Sequence, residues 1–251
     1  METKTLAANV ASRAEWLAAR KALLAKEKEF TRQRDALSAE RRALPMVKIE
    51  KDYVFDGPEG RTTLQDLFGS HHQLIAYHFM FDPAWEQGCS GCSYFMDNLA
   101  GGLLHLGARD TAFVAVSRAP LAKIEPFKKR MGWNFAWVSS SGNDFNYDFH
   151  VTLDPEKDEY QYNYTSVKGL LAEGKLCTPK GEMPGLSVFR REGDEIFHTY
   201  STYQRGLDLP MNTYNLLDMT PLGRQEEGGR PMGWVRHHDR YNTQQDAAAA
   251  H

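Results

Sequence analysis

The sequence predicts an α/β fold: a central mixed sheet flanked by helices, behind a long N-terminal helix. Residues 74–81 (LIAYHFMF) and 111–117 (TAFVAVS) are short, continuous apolar runs, the pattern of strands buried on both faces. Stretches of helical spacing, 92–106 and 120–131, alternate with these runs and with a third, 134–139 (NFAWVS). Strands and helices in that alternation imply parallel strands joined by right-handed crossovers.

Ahead of this core, residues 8–44 read as one helix. No Gly or Pro occurs before Pro45, and good helix formers dominate. Trp16, Leu23, Phe30, Leu37 and Leu44 recur every seven residues. A coiled coil needs a second apolar position per heptad, and here those positions hold residues such as Arg20, Glu27 and Arg34. The narrow stripe is therefore expected to be buried, either on the helix's own domain or in a homo-oligomer built through this helix, with its charged face wet. Pro45 ends it. The chain thus divides into a helical arm (1–45), a core domain (46–220) and a polar tail (221–251).

Within the core domain, 47–55 reads as a strand running into the turn 56–60, and 62–68 as a short helix. Residues 140–183, rich in Asn, Asp, Tyr and Gly, read as an irregular insertion. Residues 186–190 and 195–200 flank Gly193 as a hairpin, and 211–219 is a closing helix. The last residues, 246–251, are of low complexity.

Composition narrows the function. The 251 residues carry 30 Lys+Arg and 33 Asp+Glu, a net charge of −3, which argues against a nucleic-acid partner. No apolar run reaches the roughly 18–20 residues that span a bilayer, and the N-terminus lacks the apolar core of a secretory leader. A cytoplasmic location with no membrane partner is the expectation. Three cysteines are too few for a stapled secreted domain. No cofactor motif is present, and neither a bound cofactor nor a metal is expected.

Two of the cysteines, Cys89 and Cys92, form a CxxC pair. The pair follows a buried strand and opens a helix within a strand–helix–strand unit, the setting of a thioredoxin-like redox motif. Positions three apart on a helical turn lie about 5–6 Å apart, which suits a disulfide. The partial positive charge at a helix start favours a thiolate at Cys89. Cys89 is thus the expected attacking thiolate and Cys92 the resolving thiol. The run 183–189 (MPGLSVF) places a proline just before an apolar strand. In thioredoxin-fold proteins the corresponding X–Pro bond is cis and lies beside the CxxC, so a cis Met183–Pro184 bond is expected there, with the Met183 backbone pairing with an extended substrate.

Several phrases carry a family resemblance: EWLAARKALLAKEKE (15–29), KDYVFDGPEG (51–60), YHFMFDPAWEQGCSGCS (77–93), AVSRAPLAKIEPFKKRMGW (115–133), GNDFNYDF (142–149), GLSVFRREGDEIFHTYSTYQRGLD (185–208) and WVRHHDRY (234–241). Nearly end to end, the chain resembles a bacterial family described as predicted dithiol–disulfide oxidoreductases, distantly similar to peroxiredoxins and thioredoxins. The resemblance implies a thioredoxin-like fold, catalysis by Cys89 and Cys92, and a protein or small-molecule thiol or disulfide as substrate. Peroxiredoxins typically place a Thr three residues before the reactive cysteine. Residues 85–88 here are Trp-Glu-Gln-Gly, so peroxide reduction is the weaker branch. The alternative is a non-catalytic thioredoxin-fold binding protein whose CxxC is structural or holds a metal with His71-His72 or His237-His238.

Trp85, four residues before Cys89, is a candidate wall of a substrate site beside Met183 and Pro184. His78, inside an apolar strand, reads as a hydrogen-bonded core histidine. Asp97 either faces the resolving thiol or lies on a solvated helix face, and Arg118 and Arg130 either bind an anion or substrate carboxylate or are surface charge. The group Asn146, Tyr147, Tyr162, Asn163 and Tyr164 either lines a cleft or satisfies loop backbone. Cys177 reads as an ordinary loop thiol.

Overall fold

The computed structural model describes residues 10–156, 161–176, 178–226 and 231–241. It divides into two compact units, Met1–Pro45 and Met46–His251.

The first unit is a single helix, α1 (Arg13–Arg42), opened by a capping box. The Ser12 Oγ accepts the Glu15 N–H at 3.3 Å, and the Glu15 carboxylate accepts the Ser12 N–H at 2.8 Å. Within this single helix no side chain is buried. Trp16, Leu23, Phe30, Leu37 and Leu44 are all exposed.

The second unit begins with β1 (Val47–Lys48), β2 (Val54–Gly57) and β3 (Gly60–Thr63). Then come β4 (Gln73–His78), α2 (Ser90–Leu99), α3 (Leu103–Gly107) and β5 (Thr111–Ser117). The chain continues through α4 (Leu121–Arg130), β6 (Ala136–Ser139), α5 (Phe145–Asp148) and β7 (Thr152–Leu153). The insertion adds β8 (Gln161–Tyr162), β9 (Thr165–Ser166), α6 (Val167–Ala172) and β10 (Gly181–Glu182). The hairpin β11 (Gly185–Glu192) and β12 (Glu195–Tyr203) precedes α7 (Asn212–Leu217).

Eight strands form one sheet in the order β1-β12-β11-β4-β5-β6-β2-β3. At its centre β4 and β5 run parallel, Gln73 against Thr111 through His78 against Val116. β6 continues the parallel set, and β11 returns antiparallel to β4, Gly185 against His78. Hairpin strands β11 and β12 beside a parallel β4/β5 pair, with a helix closing each crossover, are the strand order of the thioredoxin fold.

Alternation in the strands sorts side chains into two cores. Tyr77, Phe79, Ala115 and Trp137 face α2, α4 and α7. Leu74, Ala76, Val114, Val116 and Val138 face Phe68, Phe145 and Phe149 on the other side. His78 lies in this second face, fully buried, with its Nε2 2.8 Å from the Ser187 Oγ. Burial, with His198 nearby, pushes its pKa down to about 3, so it is the neutral core histidine the sequence suggested.

Several boundaries differ from expectation. The segment 47–55 is two strands, because the chain crosses the sheet between them: β1 pairs with β12, and β2 pairs with β6 near the other edge. Residues 60–63 pair with β2, leaving only Asp66–Phe68 helical, as a 3-10 turn. The helix read over 92–106 breaks at Gly101-Gly102, where the missing side chains weaken it. The insertion holds short paired strands around its own core, including Val151, Leu153, Tyr162, Val167 and Met183.

The expectation of a cis Met183–Pro184 bond is overturned. No described peptide bond is cis. β10 pairs with β7 through Glu182 against Thr152, the Met183 N–H donates to the Val151 carbonyl at 2.7 Å, and Gly185 starts β11. The chain passes extended from one strand into the next, a path that a trans bond follows and a tight cis turn would break. The Met183 N–H is thereby used internally rather than offered to a substrate. Cys177 and residues 246–251 lie outside the described residues.

Candidate functional site

β4 hydrogen bonding extends past its last paired residue: the Phe79 N–H donates to the Val116 carbonyl and the Ala119 N–H to the Phe81 carbonyl. The chain then turns and returns, and the Cys89 N–H donates to the Met80 carbonyl at 3.0 Å. This return places Cys89 beside the C-terminal end of β4, as the N-cap of α2. Only glycine fits immediately before it. A Cβ on Gly88 would lie 2.6 Å from Phe79 Cε1 and 2.8 Å from Phe127 Cε1.

The approach loop is pinned from α4. The Lys123 ammonium donates to the Pro83 and Trp85 carbonyls at 3.0 and 2.9 Å. Arg130 donates to Gln87 Oε1 at 2.9 Å. Trp85 is 37 % exposed on this loop.

One helical turn on, Cys92 is 2 % exposed within the core that faces α2. Both cysteines stand as thiols, hydrogen-bonded to each other. The Cys92 Sγ also accepts the Met80 N–H at 3.3 Å and hydrogen-bonds the Tyr77 hydroxyl. Burial, then the neighbouring Cys89, pushes the Cys92 thiol well above its usual value. The Tyr77 and Met80 hydrogen bonds pull the other way. Tyr77 is itself buried and raised well above an ordinary phenol, so it remains a donor. The half-buried Cys89 is thus the accessible sulfur, and Cys92 stands behind it.

The polar tail folds over this helix. The His237 Nε2–H donates to the Gly88 carbonyl at 2.9 Å, and its Nδ1 accepts from Arg130 at 2.9 Å. Burial pushes His237 below its usual pKa, consistent with this neutral arrangement. His238 Nδ1 and Trp133 Nε1 meet Asp97 Oδ1 at 2.8 and 2.9 Å. Met232 packs over Gly91, 3.4 Å from where a Cβ would sit; Cys89 Sγ is 3.7 Å from the same point. Asp97 is therefore a clamp for the tail rather than free surface charge. The sequence signal was three large apolar residues, Met232, Trp234 and Val235, in an otherwise polar stretch.

On the opposite face, the 3 % exposed Glu182 gathers the insertion. Its carboxylate accepts from Thr152 Oγ1 at 2.9 and 3.0 Å, from Asn146 Nδ2 at 3.3 Å and from Arg118 at 3.4 Å. Burial is the main reason that its pKa is pushed up to about 7. Arg118 is thus an ion-pair partner, not surface charge, and it also stacks on Tyr147. Tyr162 donates to the Pro184 carbonyl at 2.8 Å and Tyr164 to the Ser201 carbonyl at 2.9 Å. Tyr162 and Tyr164 thus satisfy backbone groups, whereas Asn146 and Asn163 bond to the side chains of Glu182 and Gln204.

His71 and His72 sit at the far end of β4, against Asp110. Among the described residues, no group of three or more His, Cys, Asp or Glu is arranged to hold a metal ion. No helix among them is long and apolar enough to cross a membrane.

Fold and site define a thioredoxin-fold protein with a CxxC pair at the start of the helix that follows its central strand. The chain belongs to a bacterial protein family of unknown function, DUF899, whose profile matches residues 5–241. Among curated proteins, no relative matches it. Similar solved structures include a cysteine-to-serine variant of PrxQ from Xylella fastidiosa, 15 % identical, covering 65 % of this chain and 88 % of that one, with a TM-score of 0.42. A variant of peroxiredoxin Q from Xanthomonas campestris is 16 % identical, covers 65 % and 90 %, and scores 0.43. AhpC from Enterococcus faecalis is 12 % identical, covers 69 % and 93 %, and scores 0.44. The fold assignment rests on strand order and register, not on these overlays.

Proposed function

We propose that this chain is a thiol–disulfide oxidoreductase in which Cys89 attacks and Cys92 resolves. The observation that carries the reading is the hydrogen-bonded pair itself: an accessible sulfur at the start of α2 and a buried one a turn behind it. The Cys89 thiolate attacks a substrate disulfide, forming a mixed disulfide and releasing one thiolate. Cys92 loses its proton to solvent and attacks the Cys89 Sγ, which forms the Cys89–Cys92 bond and releases the second thiolate. Trp85 is the exposed aromatic beside that route, and Pro184 closes the same end of the sheet; they are the proposed substrate contacts. Met183 contributes packing rather than a backbone donor. The substrate is a protein or small-molecule disulfide or thiol, and the proposed location is the cytoplasm.

Thiol counting with and without dithiothreitol, after chelation, tests the reading. Mild oxidation should remove two thiols that dithiothreitol restores, with Cys89 and Cys92 in one crosslinked peptide. Release of stoichiometric zinc on chelation, with no thiols gained on reduction, would favour the metal-binding alternative.

The exposed stripe of α1 is assigned to a second copy of this chain. Within the helix, Leu23, Phe30 and Leu37 map onto themselves when it is reversed about Phe30, so that Leu23 faces Leu37. Each such side chain is worth roughly 1.5–3 kcal/mol when fully buried. Light scattering should give a dimer that Phe30→Ser weakens; a monomer at all concentrations would contradict it.

A further inference from the structure

The Cys92 sulfur lies in a socket built largely by one strand. Two hydrogen-bond donors converge on it: the Met80 N–H at 3.3 Å and the Tyr77 hydroxyl. Tyr77 is 1 % exposed. Two aromatic rings pack against it. It stacks on Phe95 with centroids 4.0 Å apart and planes within 13°, and meets Phe79 edge-on at 6.1 Å. Phe95 is on α2, three residues after Cys92. The element that carries the sulfur therefore also aims the hydroxyl.

A buried tyrosine needs some partner for its hydroxyl, and a carbonyl would serve a purely structural need. Here the partner is a sulfur whose charge changes during exchange. Donors to a charged acceptor gain roughly twice the strength of those to a neutral one.

We infer that Tyr77 is a positioning residue for Cys92: with the Met80 N–H, its hydroxyl holds the thiolate that Cys92 becomes whenever the Cys89–Cys92 disulfide opens. The inference rests on the dithiol reading above. In the opening step, a thiolate of an incoming thiol attacks the Cys89 Sγ. A mixed disulfide forms as the Cys89–Cys92 bond breaks, and the bonding pair leaves on the Cys92 sulfur. Both donors lower the energy of that leaving group. Solvent later supplies the proton. In the reverse step the same donors favour loss of the Cys92 proton before it attacks.

Tyr77→Phe keeps the ring stack and removes only the hydroxyl. In a chain carrying Cys89→Ser and Cys177→Ser, Cys92 is the one remaining cysteine. Its iodoacetamide alkylation rate at fixed pH then follows its thiolate fraction. Adding Tyr77→Phe should slow alkylation about tenfold, the equivalent of one pKa unit upward. Mere loosening of the core would expose the sulfur and speed the reaction, so an equal or faster rate overturns the inference. In the otherwise unmodified chain, Tyr77→Phe should slow release of a glutathione adduct from Cys89 about tenfold and move its pH profile upward, while Cys89 alkylation holds. If the parent chain forms no Cys89–Cys92 disulfide at all, the dithiol reading fails, and the alkylation comparison still decides whether Tyr77 holds Cys92.

Discussion

Cys92→Ser is expected to leave Cys89 able to attack a disulfide and unable to release it, so mixed disulfides accumulate. The two thiols hydrogen-bond each other, with Cys89 the accessible member and Cys92 2 % exposed. In the proposed mechanism resolution is intramolecular, with Cys92 one helical turn behind Cys89. Effective molarities for well-oriented groups reach roughly 10⁵–10⁸ M. Even a small part of that advantage lengthens the adduct's lifetime on the order of a thousandfold when free thiol is scarce. With Cys177→Ser added to both chains, intact mass after incubation with oxidised glutathione should show a persistent adduct on Cys92→Ser. Cys89→Ser should show none, because Cys92 is shielded. Equal trapping by both variants, or by neither, would contradict the assigned order of attack.

The second large effect is on stability. The folded Glu182 carboxyl has a pKa pushed up to about 7 from 4.5, chiefly by burial and against the pull of Arg118, Thr152 and Asn146. A folded-state pKa above the unfolded one means that folding favours the protonated acid. The contribution is fully present below about pH 4.5 and is lost as pH rises through 7. A shift of this size corresponds to about 3 kcal/mol. The melting temperature should fall by roughly 6–12 °C from this source between pH 5 and pH 8. Glu182→Gln carries no such charge and should flatten that slope. Parallel slopes for the parent and variant would contradict the assignment. Because Glu182 joins α5, β7 and β10 to the end of β5, protection of amide hydrogens in the insertion should weaken first at high pH.

The central fold was legible because buried parallel strands leave continuous apolar runs. Residues 111–117 match β5, and Gly193 sits at φ +60 in the hairpin turn, where the absent side chain removes the strain. Cys89 at the end of β4 followed from the same pattern. What sequence missed was set by long-range pairing. Nothing local says that β1 and β2 join different strands of the sheet, or that Glu182 pairs with Thr152 and so carries the chain straight into Pro184. Tyr77 read as one more apolar strand residue; its role depends on which sulfur its hydroxyl meets. His237 and His238 were noticed as a pair, yet their ligands, the Gly88 carbonyl and Asp97, lie about 150 and 140 residues away in sequence. The stripe of α1 was visible in the spacing; the second copy proposed to cover it has no local signal.

Equilibration of the Cys89–Cys92 pair with glutathione redox buffers, read by mass after acid quenching and alkylation, decides whether the pair is a redox couple. One cooperative two-electron transition linking these two residues is expected, with a potential between about −270 and −120 mV. A pair that stays as two thiols across every buffer ratio, while the chain remains folded, would contradict it.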